Sequence, residues 1–317
     1  MRNDDGLVAR LALHQSAAFL TVREKRLVLG NIGSPSDIAA LSKDDMAKIV
    51  GRRLGRAAWN GNDALAACRN ALRVIRAFGI GCTGVDFDDY PAMLREMSDP
   101  PYLLFYRGNL AALGERCVSV VGTRRATVGA RRAAETFAKD AAEDGWTVVS
   151  GLAYGIDIAS HRGALLARRG VTAAVLPCGV DTIVPSAHTR VATRIVERGG
   201  LLLSEYVPGT PAAAFRFVQR NRIIAALSAK TLVVQAPAGS GAMITAAFAL
   251  DYNRNVMFHK EAFSCDAQEL NRVEVERIKK EISAGKKREA ALENTPEAFV
   301  RDGASVIGSF AQFRELR

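Results

Sequence analysis

The stretch Val118–Gly129, VSVVGTRRATVG, reads as a buried strand that runs into a glycine turn and then a helix starting near Thr127 or Gly129. In α/β proteins the turn amides and the helix N-terminus at such a place attract phosphate. A dinucleotide site would want a second glycine where Arg124 stands, and no G-K-S/T follows, so neither the G-x-G-x-x-G pattern nor a Walker A loop is met. Arg124 offers instead a planar guanidinium fork that suits phosphate. Taken alone, the turn is open to two readings. It is a phosphate cradle with its own cation, or a plain strand-to-helix turn with an exposed arginine.

On both sides of this stretch, short apolar runs alternate with amphipathic segments. The runs are Tyr102–Phe105, Cys117–Val121, Thr147–Val149, Thr172–Leu176, Gly200–Leu203, Thr231–Val234 and Asn255–Phe258. Strands that are apolar throughout, separated by helices, predict a parallel sheet covered on both faces. The expected fold is therefore α/β, a Rossmann-like doubly wound parallel sheet over residues 86–262. Residues 1–85 read as a small all-helical, SAM-like domain. Ser34-Pro35 and Ser42 are helix starts there, a longer helix runs from Ala64 to Phe78, and Gly79, Gly81 and Gly84 break it. Residues 263–317 read as a short, charged helical tail, helix-prone from Gln268 to Glu297 and containing the run Lys286-Lys287-Arg288.

The chain of 317 residues is 49% hydrophobic, enough for about two domains of roughly 150 residues. Its net charge is +10. Between Lys260 and Arg317 eleven basic residues balance eleven acidic ones, so the excess lies upstream. Such a charge suits a polyanionic partner and is also found on proteins without one. The five cysteines, Cys68, Cys82, Cys117, Cys178 and Cys265, are odd in number and never spaced as C-x-x-C. That speaks against a disulfide framework and against zinc. With no signal-peptide core and no long apolar run, the expectation is a cytoplasmic protein with no membrane contact.

Ligands of an open parallel sheet bind at the carboxyl ends of its strands. Beyond the first turn, that rule selects Ser150–Asp157, Gly179–Pro185 and Pro237–Gly241. To these the stretch Phe215–Ile224 adds three arginines and an asparagine interleaved with two aromatic rings. This is the composition of a single-stranded nucleic-acid surface, where cations hold phosphates and rings stack bases. It equally describes a basic helix start whose phenylalanines sit in the core. Asp157 and His161 lie one turn apart, but with no nucleophile nearby they read as structural hydrogen-bonding groups. His14, His161, His188 and His259 are scattered without ligand spacing, and neither G-x-S-x-G nor H-E-x-x-H occurs. The residues describe a binder with no metal and no cofactor rather than an enzyme.

Seven blocks taken in order resemble the DNA-processing protein A (DprA, or Smf) family. They are DYPAML…SDPPYLLFYRGNL (89–110), VSVVGTRRATVG, SGLAYGIDIASHRGAL (150–165), AVLPCGVDTIVP, GGLLLSEY (199–206), FVQRNRIIAALS (217–228) and VVQAPAGSGAMITAAFAL (233–250). The resemblance implies single-stranded DNA binding with little sequence preference, protection of incoming strands in natural transformation, loading of a RecA-type recombinase and a homodimer. It implies a DNA-binding set made of Gly122, Thr123, Arg124 and Arg125 of the first turn, with Gly151. Phe217, Arg220, Asn221 and Arg222 follow, then Ser240 and Gly241. The chain departs from the family where YPxxN is replaced by Val184–His188, where Val218 and Gln235 replace a proline and an acidic residue, and where the last strand ends MFHKEAF. It also lacks a recognisable C-terminal winged helix. The departures keep a second reading open, a nucleotide-binding sensor on the same fold, serving in defence against foreign DNA. A phosphoribohydrolase is a third, disfavoured because PAGSGAMIT lacks the glutamate such enzymes carry.

Overall fold

Residues 4–285 and 289–316 are described by the computed structural model, so Lys286-Lys287-Arg288 lies outside the described residues. Five helices come first: α1 (Asp4–Ser16), α2 (Val22–Gly30), α3 (Pro35–Ala40), α4 (Lys43–Val50) and α5 (Gly61–Ala77). Their starts follow from local chemistry. Ser42 Oγ accepts from the Asp45 amide at 3.1 Å while Asp45 takes the Ser42 amide at 3.2 Å. Asn60 Oδ1 accepts from the amides of Asn62 and Asp63. Along α5, Ala64, Cys68, Ala71 and Ile75 recur at helical spacing and are all buried. A Cβ on Gly61 would stand 1.9 Å from the Ile38 carbonyl oxygen, which fixes how closely α5 meets α3.

After α5 come β1 (Gly81–Gly84), α6 (Ala92–Arg95), β2 (Leu103–Gly108), β3 (Cys117–Val121), α7 (Val128–Glu143), β4 (Thr147–Ser150) and α8 (Ile156–Leu166). The chain continues through β5 (Thr172–Val175), α9 (Thr189–Glu197), β6 (Leu201–Ser204), α10 (Ala214–Ala226), β7 (Lys230–Val233), α11 (Gly241–Asp251) and β8 (Asn255–His259). It ends with α12 (Cys265–Ser283), α13 (Ala290–Glu293), α14 (Pro296–Arg301), β9 (Ser305–Ile307) and α15 (Phe310–Glu315). The nine described strands form one sheet in the order β1-β2-β6-β5-β4-β3-β7-β8-β9. From β6 to β9 all neighbours are parallel. The chain winds outward from β3 through β4, β5 and β6, then crosses back to β7 and continues through β8. The order therefore reverses between β3 and β7, and that switch point opens a crevice at the strand ends.

The apolar runs are explained by burial on both faces. Val118 and Val120 pack toward α7 and α8, whereas Cys117 and Val121 pack into the cluster shared with the N-terminal helices. The one polar residue of β3, Ser119, is satisfied by the Ile224 carbonyl at 2.6 Å and the Ser228 hydroxyl at 2.5 Å.

Two strands extend the sheet past the expected limits of 86 and 262, and the sheet is mixed at one edge rather than wholly parallel. β1, expected only as a glycine break, runs antiparallel to β2, which runs antiparallel to β6. Its glycine is needed for packing, because a Cβ on Gly81 would lie 2.3 Å from the Tyr106 ring. β9, inside the expected helical tail, pairs with β8. Behind it, Phe310 and Phe313 of α15 close on Phe137 and Trp146, with Phe313 5.5 Å from Phe137 and 5.2 Å from Trp146 edge to face.

Candidate nucleic-acid interface

The chain leaves β3 at the switch point through Gly122. A Cβ there would stand 2.4 Å from Ile156 Cγ1 and 2.9 Å from the Gln235 carbonyl oxygen, so only glycine lets the three segments meet. Gln235, just past β7, then ties the turn down twice. Its carbonyl accepts from the Thr123 amide at 2.7 Å, and its Oε1 accepts from the Thr127 amide at 2.9 Å. Thr127 caps α7 by accepting from the Ala130 amide at 3.1 Å. With the turn so fixed, Arg124 and Arg125 stand exposed. The Arg124 guanidinium lies over the Phe217 ring, 4.8 Å from its centroid. An exposed cation–π contact of this kind is worth about 0.5–1 kcal/mol and holds a flexible side chain in place.

The second loop, 150–155, is clamped by histidines. Leu152 adopts a left-handed backbone, φ 57°, which costs a non-glycine residue roughly 1 kcal/mol. Its amide donates to His161 Nε2 at 3.3 Å, and its carbonyl accepts from His188 Nδ1 at 2.7 Å. The Thr172 hydroxyl donates to the Val148 carbonyl, so it accepts from His161 Nδ1–H at 2.7 Å and fixes that tautomer. His161 thus holds the loop by hydrogen bonds, and Asp157 accepts from the Ala153 amide at 3.4 Å at the cavity's edge. Burial pulls the His161 pKa down from 6.5 to about 3 and pushes the Asp157 carboxyl up against the pull of nearby Arg220. Tyr154 stands exposed on this loop, edge-on to His188 at 4.8 Å.

Arg220 on α10 forms the floor. It is 3% exposed, donates to the Val175 carbonyl, and approaches Asp157 Oδ2 at 3.9 Å. Burial lowers its pKa to about 10, so it keeps its charge at neutral pH. Its Nε has no partner. Gly151 is packed against this guanidinium, with room for no Cβ. Half-buried Phe217 lies one helical turn before, and Asn221 donates to the Gly241 carbonyl at 3.1 Å. Gly241 opens α11 behind its cap Ser240. The first amides of that helix have no intrahelical acceptor and carry the positive end of its dipole.

These pieces surround one cavity of about 380 Å³. Nine of the eleven residues that the sequence nominated line it: the whole turn Gly122–Arg125, then Phe217, Arg220 and Asn221, then Ser240 and Gly241. Gly151 sits behind Arg220 and shapes the floor. Arg222 does not line the cavity. Two residues past Arg220, it points to the far side of the helix at about 100° per residue. There it pairs with Glu205 and donates to the Asp99 carbonyl at 2.8 Å. Among the lining residues that the sequence reading did not nominate, two come from α12, Glu274 and Arg277. No local signal could have placed them, because their contact spans more than thirty residues of chain. Among the described residues no cluster of histidine, cysteine and carboxylate groups could hold a metal ion, and no helix is long and apolar enough to cross a membrane.

A model of the family described as DNA recombination-mediator protein A matches residues 82–291. The Escherichia coli (strain K12) protein named Smf is 42% identical over 171 residues, which are 54% of this chain and 46% of that protein. The chain spans about half the length of the curated relatives it matches. Among solved structures, DNA processing protein A from Streptococcus pneumoniae is similar with a TM-score of 0.70 at 27% identity, covering 100% of this chain and 99% of that one. DNA processing protein A from Helicobacter pylori, described for its single-stranded DNA binding mode, has a TM-score of 0.58 at 26% identity, covering 74% of this chain and 94% of that one.

Proposed function

The chain belongs to the DNA recombination-mediator protein A family, and we propose that its switch-point cavity binds the backbone of single-stranded DNA. The observation that carries the reading is Arg124 laid over Phe217 at the cavity. The Arg124 guanidinium and the α11 N-terminus meet phosphate oxygens. The Phe217 ring and the Arg124 plane offer surfaces on which a base stacks, worth about 1–3 kcal/mol per base. Buried Arg220 supplies a fixed positive charge beneath. No base-edge code is built in, so the expected selectivity is for strand form and not for sequence.

The cellular reading follows from the family. The protein is a cytoplasmic accessory factor of DNA uptake that shields incoming strands and assists a RecA-type recombinase, working as a homodimer and without catalysis of its own. The test is fluorescence anisotropy of a labelled single-stranded oligonucleotide, with duplex and a mononucleotide as competitors. The expected result is binding that weakens with salt at a log–log slope of about −0.7 per phosphate contacted, with poor competition by either rival. Saturation by the mononucleotide, insensitive to salt, would instead make the cavity a nucleotide sensor's.

A further inference from the structure

We propose that Arg277 of α12 is a further phosphate-binding residue of this cavity and that Glu274 is a built-in competitor for it; the inference rests on the single-strand reading above. α12 is fastened to the turn that leads into α11. Asn271 Oδ1 accepts from the Ala238 amide at 2.8 Å. Fully buried Ile278 packs under Gly239, where an added Cβ would be 3.3 Å from its Cδ1. The Gly239 amide donates to the Asn294 carbonyl at 3.0 Å, so the segment after α12 grips the same turn. Asn271, Glu274, Ile278 and Glu281 fall on one helical face. The residues that anchor the helix thus bring Glu274 to the cavity wall, and Arg277 lines the wall beside it.

The charges on this wall are arranged as a substitute ligand. The Arg277 guanidinium holds Glu274 through Nε at 2.9 Å and through Nη2, and holds Glu281 through Nη1. Arg277 thus reaches the cavity wall with its fork already engaged by carboxylates, in the cavity that Arg124, Arg125 and Arg220 also line. A carboxylate and a phosphodiester present the same pair of oxygens to a guanidinium fork. A strand that enters the cavity therefore meets Arg277 already occupied and exchanges with Glu274. Glu274 is 23% exposed at its side chain and can turn to water, and pairs this close to solvent are weak, so the exchange costs little. α12 would then set a threshold on occupancy. Weak anions fail to displace Glu274, whereas a strand held at several phosphates succeeds.

The experiment is salt-dependent anisotropy of a labelled oligothymidylate on wild type, Glu274→Gln and Arg277→Gln, with thermal melts as the folding control. Both substitutions spare Asn271 and Ile278, so the helix stays anchored. Glu274→Gln is expected to tighten binding about three- to tenfold at low salt, the range of one partly screened charge. Arg277→Gln is expected to weaken it by a similar factor and to make the log–log slope shallower by about 0.7, one phosphate contact. Weakening at an unchanged slope would overturn the role of Arg277, since the loss would then come from Glu274 and Glu281 repelling the strand. If wild type binds and both variants match it, this inference falls and the single-strand reading stands. If none of the three binds, both fall.

Discussion

At the scale of single residues, the buried imidazole of His161 shows how tightly the 150–155 loop is specified. Its Nδ1–H is held by Thr172 and its Nε2 must accept from Leu152, so protonation at Nε2 removes the acceptor on which Leu152 depends. The pKa lies near 3 in the fold against 6.5 for an ordinary histidine, so folding expels a proton. The stability from this group is complete above about pH 6.5 and is lost as pH falls from there toward 3. Each unit removes about 1.4 kcal/mol. Urea midpoints from pH 7 to 4 should fall more steeply for wild type than for His161→Gln, and parallel curves would contradict the assignment. The same scale shows where sequence reading stops. Arg220 and Arg222 are equal as letters, and only the rotation of α10 sends one under the cavity and the other to Glu205.

At the scale of elements, the strands were legible because each is buried on both faces and so is apolar from end to end. The seven runs seen in the sequence became β2 to β8 within a residue or two at most ends, Gly108 of β2 being the exception. β1 and β9 were not legible. Edge strands of four and three residues carry little periodicity, and GCTG reads as a break until the Tyr106 ring that needs Gly81 is seen. The tail was read as short, charged and helical, and its charged residues gave no sign that α15 closes an aromatic cluster with Phe313 wholly buried. Phe313→Ala should therefore cost about 3–5 kcal/mol, read as a lowered urea midpoint at unchanged slope. A loss below about 1 kcal/mol would mean that this end of the chain is an ornament on the sheet.

At the scale of the whole molecule, the site lies where the sheet order reverses. β3 and β7 are neighbours in space although α7 to α10 separate them in sequence, so their turns converge on one crevice. The strand-end rule found these turns without coordinates, and the net charge of +10 fits a polyanion arriving there. What no rule of spacing offered was the wall built by α12, because tertiary contact alone brings Glu274 and Arg277 to the cavity. The central claim is that Arg124, planted at the turn after β3, holds DNA backbone phosphate. The measurement that tests it most directly is a titration of Arg124→Ala and wild type with labelled single-stranded oligonucleotide across a range of salt. The account predicts binding about tenfold or more weaker at low salt and a log–log slope shallower by about 0.7. Wild-type affinity at wild-type slope would contradict it and move the strand to another surface.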